Sequence, residues 1–210
     1  MAINIKPQKT SKNLFCASKW WGDPDMPIDM QYPTMKAIDE DGDEFEYPLT
    51  FICQINCEDI AELDKENKLP HEGMFYFFAN IDEFLGYDTP SNMPKGEWEK
   101  GNISIKYTKS VNMETFHSVI MVDEDEESLT ETAQEIIFSE CEDDSKAGHR
   151  LLGLPLIPSD YPDHLNFFQL GSDDNIGLNF YNRGCLSILI KEKDLQYANY
   201  KKSIAYLNSL

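Results

Sequence analysis

The chain has 210 residues, 41% of them apolar, which is enough to bury a substantial core as one large domain or as two fused halves. Asp and Glu number 38 against 18 Lys and Arg, a formal net charge of −20 that repels phosphate backbones and anionic lipid. Nucleic acid and a membrane surface are thus not expected partners, and the acidity either keeps the chain dissolved or meets a basic protein partner.

No stretch approaches the ~18 consecutive apolar residues of a membrane span, and the N-terminus lacks the apolar core and cleavage site of a secretory signal. A cytoplasmic location is expected. Cys16, Cys53, Cys57, Cys141 and Cys185 are odd in number and form no C-x-x-C pair. They read as buried, reduced thiols rather than a disulfide framework or a zinc knuckle.

Residues 1 to 13 are polar and Lys-bearing, and Leu14 to Trp21 reads equally as a short helix or an extended entry. "GDPDMP", 22 to 27, is a shaped loop, because Pro24 and Pro27 fix φ, remove donors and push the preceding residues toward extended backbone. "DEDGDEFE", 39 to 46, reads as a solvated acidic connection, and "YPLTFICQI", 47 to 55, as a buried strand. "CEDIAELDKENK", 57 to 68, has Ile60 and Leu63 three apart and acids in its first turn, which predicts a short helix. "LPHEG" breaks the chain before an aromatic strand, "MFYFFANI", 74 to 81.

Gly86, Pro90, Pro94, Gly96 and Gly101 mark 85 to 101 as loop. Alternation in "NISIKYT" then puts Ile103, Ile105 and Tyr107 on one face of a half-buried strand. "FHSVIMV", 116 to 122, predicts another strand, "DEDEE" a solvated turn, and "SLTETAQEIIFSEC", 128 to 141, a helix with Leu129, Ala133, Ile136 and Ile137 on one stripe. Residues 142 to 148 read as linker. The C-terminal "EKDLQYANYKKSIAYLNSL" suggests a docked helix through Leu195, Ile204 and Leu207.

One frame occurs twice: Gly22-x-Pro24-x-x-Pro27 returns as Gly153-x-Pro155-x-x-Pro158. Each copy is followed by an apolar strand with one glutamine, Gln54 or Gln169, and then by an apolar strand opened by Gly73 or Gly184. This order predicts an internal duplication within a single domain over 1–210, with half-domains at approximately 14–141 and 149–210. A buried, unpaired amide costs about 1–3 kcal/mol, so both glutamines need partners, either the backbone of their own proline loops or a shared cleft.

Taken in order, "SKWWGDPDMP", "PLTFICQINCEDIAEL" with "LPHEGMFYFF", and "HRLLGLP" followed by "FFQLGSDDNIGLNFYNRGCLSILIKEKDL" resemble the YwqG-like family of bacterial domains of unknown function. The chain departs from the family's usual Trp-Gly-Asp near Phe180 to Asn182 and from its usual Gln shortly after the second Gly-x-Pro. The resemblance implies an α+β fold of mostly antiparallel strands with a few short helices. It brings no established activity.

Gly-x-Gly-x-x-Gly, P-loop, Gly-x-Ser-x-Gly and His-Glu-x-x-His patterns are absent, so no catalytic residue and no cofactor is expected. His71, His117, His149 and His164 are scattered, and "DEDGDE" lacks the spacing of a calcium loop, so no metal is expected either. Three stretches are candidates for contact. Asp173 and Asp174 either hold a ligand or cap their own turn; Arg150, after His149, either binds an anion or pairs with an acid; Trp21 either floors a cleft or packs as core.

The expected function is a protein-binding module, immunity-type or regulatory, with an acidic surface for a basic partner. The alternative is a small-molecule binder or unrecognised enzyme with a cleft between the halves, lined by Trp21, Gln54, His149, Gln169 and Asp173. A structural or oligomeric role stands third, and the sequence assigns no oligomeric state.

Overall fold

Ala2, Ile3 and Ile5 set an apolar stripe in the first residues, and in the computed structural model, which describes residues 2–39, 41–90, 92–122, 126–143, 147–156 and 161–209, they face inward from a strand. The strands in chain order are β1 (Ala2–Gln8), β2 (Lys19–Trp20), β3 (Asp25–Pro27), β4 (Thr34–Ile38), β5 (Glu44–Pro48), β6 (Thr50–Asn56), β7 (Met74–Ala79) and β8 (Gly96–Glu97). They continue as β9 (Ile103–Thr108), β10 (Phe116–Ser118), β11 (Gln134–Glu140), β12 (Arg150–Leu152), β13 (His164–Gly171), β14 (Cys185–Lys191) and β15 (Ile204–Asn208). Two short helices, α1 (Asp82–Leu85) and α2 (Glu192–Gln196), interrupt them.

Eleven strands form one sheet in the order β8-β15-β14-β13-β12-β1-β11-β2-β6-β7-β9, curled into a half-barrel. The curl follows from the core aromatics. Strands β13 and β7 stand six places apart, roughly 29 Å on a flat sheet at about 4.8 Å per strand, yet Phe77 stacks on Phe168 at 4.4 Å. Only a sheet bent round its own core brings those rings together.

Every residue of β7 is buried, which explains its unbroken apolar run. Phe75, Phe77 and Ala79 enter the core inside the curl, whereas Met74, Tyr76 and Phe78 enter a second cluster on the other face. That second cluster is roofed by two small antiparallel pairs, β3 with β10 and β4 with β5, which contribute Met26, Met35 and Ala37. These roofs build the groove described below.

The expected α+β architecture of two duplicated half-domains is overturned. Strands take 41% of the chain and helices 10%, so the fold is antiparallel β with helical turns. Strand β1, drawn from residues read as a polar lead, lies mid-sheet between β11 and β12, with Ile3 opposite both Glu140 and Leu151. Strands from both supposed halves, 14–141 and 149–210, share one sheet and one core, with β1 joining β11 to β12 and β8 of the first stretch pairing with β15 at the far edge, so the sheet is continuous from one to the other.

Several local expectations also yield to pairing. The helix expected over 128–141 is strand β11: Ile136 is buried and Ile137 is 40% exposed, the two-residue alternation of a strand, where a helical stripe would bury both. The helix over 57–68 shrinks to a single 3-10 turn at Cys57–Ile60, capped by the Asn56 side chain. The C-terminal helix is confined to α2 and a turn at Tyr200–Lys202, after which Ala205 and Leu207 alternate inward from β15. Residues 39 to 46 close a β4–β5 hairpin rather than a plain connection, and the strand over 116–122 narrows to β10. The expected loop over 85–101 contains β8. Residues 123–125 of the acidic turn and 144–146 of the linker lie outside the described residues.

Gly73 opens β7 at φ +86°, and a Cβ there would sit 2.0 Å from the Thr108 carbonyl oxygen on β9. Gly73→Ala therefore combines left-handed strain with overpacking between paired strands. A loss of about 1–3 kcal/mol in urea unfolding is expected, and an unchanged midpoint would show that β9 moves aside freely.

Candidate functional site

The polar centre of the molecule is Asp25, which is fully buried and opens β3 inside the stretch 22–27 read as a shaped proline loop. Its Oδ2 accepts from the Cys16 amide at 2.8 Å, from Lys19 Nζ at 2.7 Å and from Gln54 Nε2 at 2.8 Å, and its Oδ1 accepts from Ser118 Oγ at 2.6 Å. Its own amide donates to Gln54 Oε1, and its carbonyl accepts from the Tyr76 hydroxyl. Four donors thus reach this carboxylate, three on Oδ2 and one on Oδ1. Asp25 is therefore a knot tying β2, β3, β6 and β10. The neighbouring Cys16 thiol is pushed up to about 11, first by burial and then by the Asp25 charge, which makes it a poor nucleophile.

The sequence reading passed over Asp25. The available signal was Lys19, a cation inside the apolar entry "SKWW" that needs an acid once buried.

Gln54 and Gln169 are fully buried, and each donates to backbone: Gln54 to the Ala17 carbonyl at 2.9 Å and Gln169 to the Gly148 carbonyl at 3.0 Å. They brace the entries to β2 and β12. His149, 6% exposed, packs on Trp20 at 4.6 Å; its Nδ1 accepts from the Gly171 amide and its Nε2 donates to Asp173 at 3.3 Å. Both ring nitrogens are committed. Arg150, also buried, donates from Nη2 to the Leu154 carbonyl, while Asp173 caps its own turn through Asn175 and Asp174 is exposed. Gly22 (φ +73°), Pro24 and Pro27 shape one loop and Gly153 and Pro155 the other; Pro158 lies outside the described residues.

The hydrogen bond from His149, ahead of any other cause, lowers the Asp173 carboxyl to about 2 from its ordinary 3.8. A depressed carboxylate stabilises the fold above its unfolded pKa and loses that contribution as pH falls through its folded one. Between pH 4 and 2 the parent protein should lose stability faster than Asp173→Asn, as read by urea midpoints across that window. Parallel curves would remove the His149 bond as the cause.

Of the residues picked out for contact, Trp21 alone lines the groove with the most enclosed aromatic wall, a cavity of about 530 Å³. Its sides come mainly from four stretches, Trp21 and Gly22 after β2, Tyr47 to Phe51 from β5 and β6, Asp82 to Asp88 from α1 and its exit, and Ser128 to Thr132 ahead of β11, with Tyr32 and Met121 added singly. Tyr47 donates to Asp82 at 2.7 Å and Thr50 donates to the other oxygen of the same carboxylate. Across the groove Tyr87 donates to Glu131, whose backbone carbonyl holds the Gly22 amide at 2.9 Å. That bond to Glu131, followed by burial, pushes the Tyr87 phenol up to about 12, and burial followed by the Asp82 bond raises Tyr47. Both phenols thus stay protonated donors at neutral pH.

The groove is lined by five aromatic side chains, Trp21, Tyr32, Tyr47, Phe51 and Tyr87, and by three carboxylates, Asp82, Asp88 and Glu131. Among the described residues no Lys, Arg or His lines it. Such a surface attracts a cation through ring faces and carboxylates together. Among the described residues no cluster of three or more His, Cys, Asp or Glu is placed to hold a metal ion, and no helix is long and apolar enough to cross a membrane.

A family model described as a domain of unknown function, DUF1963, matches residues 18–208. No curated protein matches the chain.

Proposed function

The chain belongs to the DUF1963 family of domains of unknown function, and from that premise we propose that it is a binding protein whose aromatic and acidic groove receives a cationic group presented by a basic protein partner. Within the family we read it as YwqG-like and bacterial, and we place it in the cytoplasm, where its five cysteines stay thiols. The lining of the groove supports this reading. Three carboxylates and five aromatic side chains converge there without a basic residue to neutralise them. The net charge of −20 adds long-range attraction for a basic partner. The alternative ligand is a free organic cation, which the cavity also suits, since 530 Å³ lies within the usual range for small-molecule sites.

The test follows the Trp21 indole resonance on addition of Nα-acetylarginine amide and of its uncharged isostere, Nα-acetylcitrulline amide. The charged probe should shift the signal and the isostere should not, and raising salt from about 50 to about 300 mM should weaken binding as screening shortens. Equal responses to both probes, or no response, would end the cationic reading.

A further inference from the structure

Resting on that reading, we propose that the partner enters as an extended basic peptide segment that adds a strand to the free edge of β5 and places one Lys or Arg side chain in the groove. The β4–β5 pair shows which backbone groups are free. Its register sums to a constant, with Met35 opposite Tyr47 and Lys36 opposite Glu46, and the turn-closing bond from the Asp39 amide to the Asp43 carbonyl fixes the phase. The directly bonded pairs are then those at Phe45 and Tyr47, so the backbone N–H and C=O of Glu44 and Glu46 face away from β4. Both residues are exposed, and among the described residues no backbone or side-chain group pairs with those outward N–H and C=O groups.

This edge leads into the groove, because Tyr47 and Pro48, the next residues of the strand, form its wall. The outer edge of β4 is also open, but it carries Lys36 and contributes nothing to the groove. Charge decides the occupant. Glu44 is paired with Lys36 of β4 at 2.9 Å, and Glu46, with Asp41 and Asp43 in the turn, leaves the edge acidic, so that it repels a second copy of itself and accepts a basic strand. Strand addition then supplies affinity through main-chain bonds, and the groove supplies the choice of side chain.

The experiment titrates an acetylated hexapeptide with arginine at alternate positions against the parent protein, Glu46→Ala and Glu46→Pro. Both substitutions remove the carboxylate and the bond it accepts from Thr34 of β4, whereas proline also removes the outward N–H and leaves the β4 backbone bonds in place. The peptide should bind at least about ten-fold tighter than Nα-acetylarginine amide, and Glu46→Pro should lose about five-fold more peptide affinity than Glu46→Ala while binding the single-residue probe equally. Should proline disturb the hairpin, the same peptide N-methylated at alternate amides, offered to the parent protein, should lose affinity in place of the variant. A peptide no tighter than the single residue, or one indifferent to both proline and N-methylation, would overturn strand addition. Loss of the single-residue response would instead overturn the groove reading beneath it.

Discussion

Asp25→Ala is expected to cost about 3–5 kcal/mol of stability, the largest effect of any single polar truncation in this fold, because it strands the Lys19 ammonium in a buried site. Lys19 is 5% exposed and its Nζ lies 2.7 Å from Asp25 Oδ2, so water does not replace the lost partner. The amide of Cys16, the amide of Gln54 and the hydroxyl of Ser118 lose their acceptor at the same time. Replacing the ammonium as well, in Lys19→Met with Asp25→Ala, should recover part of the loss, since an apolar pair leaves no uncompensated charge. Urea unfolding measures both variants. A single-variant loss below about 1 kcal/mol would mean that the loop relaxes to solvate Lys19 and that the knot does not hold β2 to β3. The consequence reaches function through two residues: Trp21 and Gly22 lie two and three residues after Lys19 and form one wall of the groove, so a loosened β2 displaces that wall.

Strands with apolar runs of their own were readable in the sequence. The run behind β7 and the Gln-bearing runs behind β6 and β13 are where their hydrophobicity put them. What was hidden depends on neighbours. Strand β1 is only half apolar and becomes central because β11 and β12 pair with both its edges. Residues 134 to 140 carry Ile136 and Ile137 at a spacing that suits either a helical stripe or an alternating strand, and pairing with β1 and β2 decides between them. The repeated Gly-x-Pro frame marks a shared local geometry, with positive φ at Trp21 and Gly22 and again at Leu152 and Gly153. Sharing that turn does not make an α+β pair of half-domains, because the strands that follow belong to one continuous antiparallel sheet.

The site was readable in one residue of its wall. Trp21 stands out as an aromatic beside a proline loop, but Tyr47, Tyr87 and Glu131 lie in segments read as strand, loop and helix, and Asp82 falls between the aromatic strand and that loop. Their convergence is a property of the roof that the β4–β5 hairpin builds over the second core cluster, and local pattern does not encode it. The buried glutamines misled for the opposite reason. They were conspicuous because polar residues in apolar strands need partners, and their partners are the chain's own backbone.

The second large effect is expected from neutralising the groove in Asp82→Asn, Asp88→Asn and Glu131→Gln together. Each exposed charge pair contributes about 0.2–1 kcal/mol, so three carboxylates acting on one cation supply about 0.6–3 kcal/mol, a roughly 3- to 150-fold loss of affinity for the arginine hexapeptide. Substituting the carboxylates separates binding from folding better than removing Trp21 does. Trp21 is 3% exposed and packs edge-on against Trp20 at 5.7 Å, so its truncation damages the core as well. Glu131→Gln keeps an acceptor for Tyr87, Asp82→Asn keeps one oxygen for Tyr47 or Thr50 and turns its amide N–H toward the other hydroxyl, which then accepts, and the backbone bond from Gly22 to Glu131 does not involve the side chain. The triple variant should therefore unfold near the parent midpoint while binding the peptide weakly, and its remaining affinity should depend less on salt than the parent's. Retained affinity with retained salt dependence would move the attraction to the acidic hairpin, Glu44 and Glu46 included, and leave the groove without a cation.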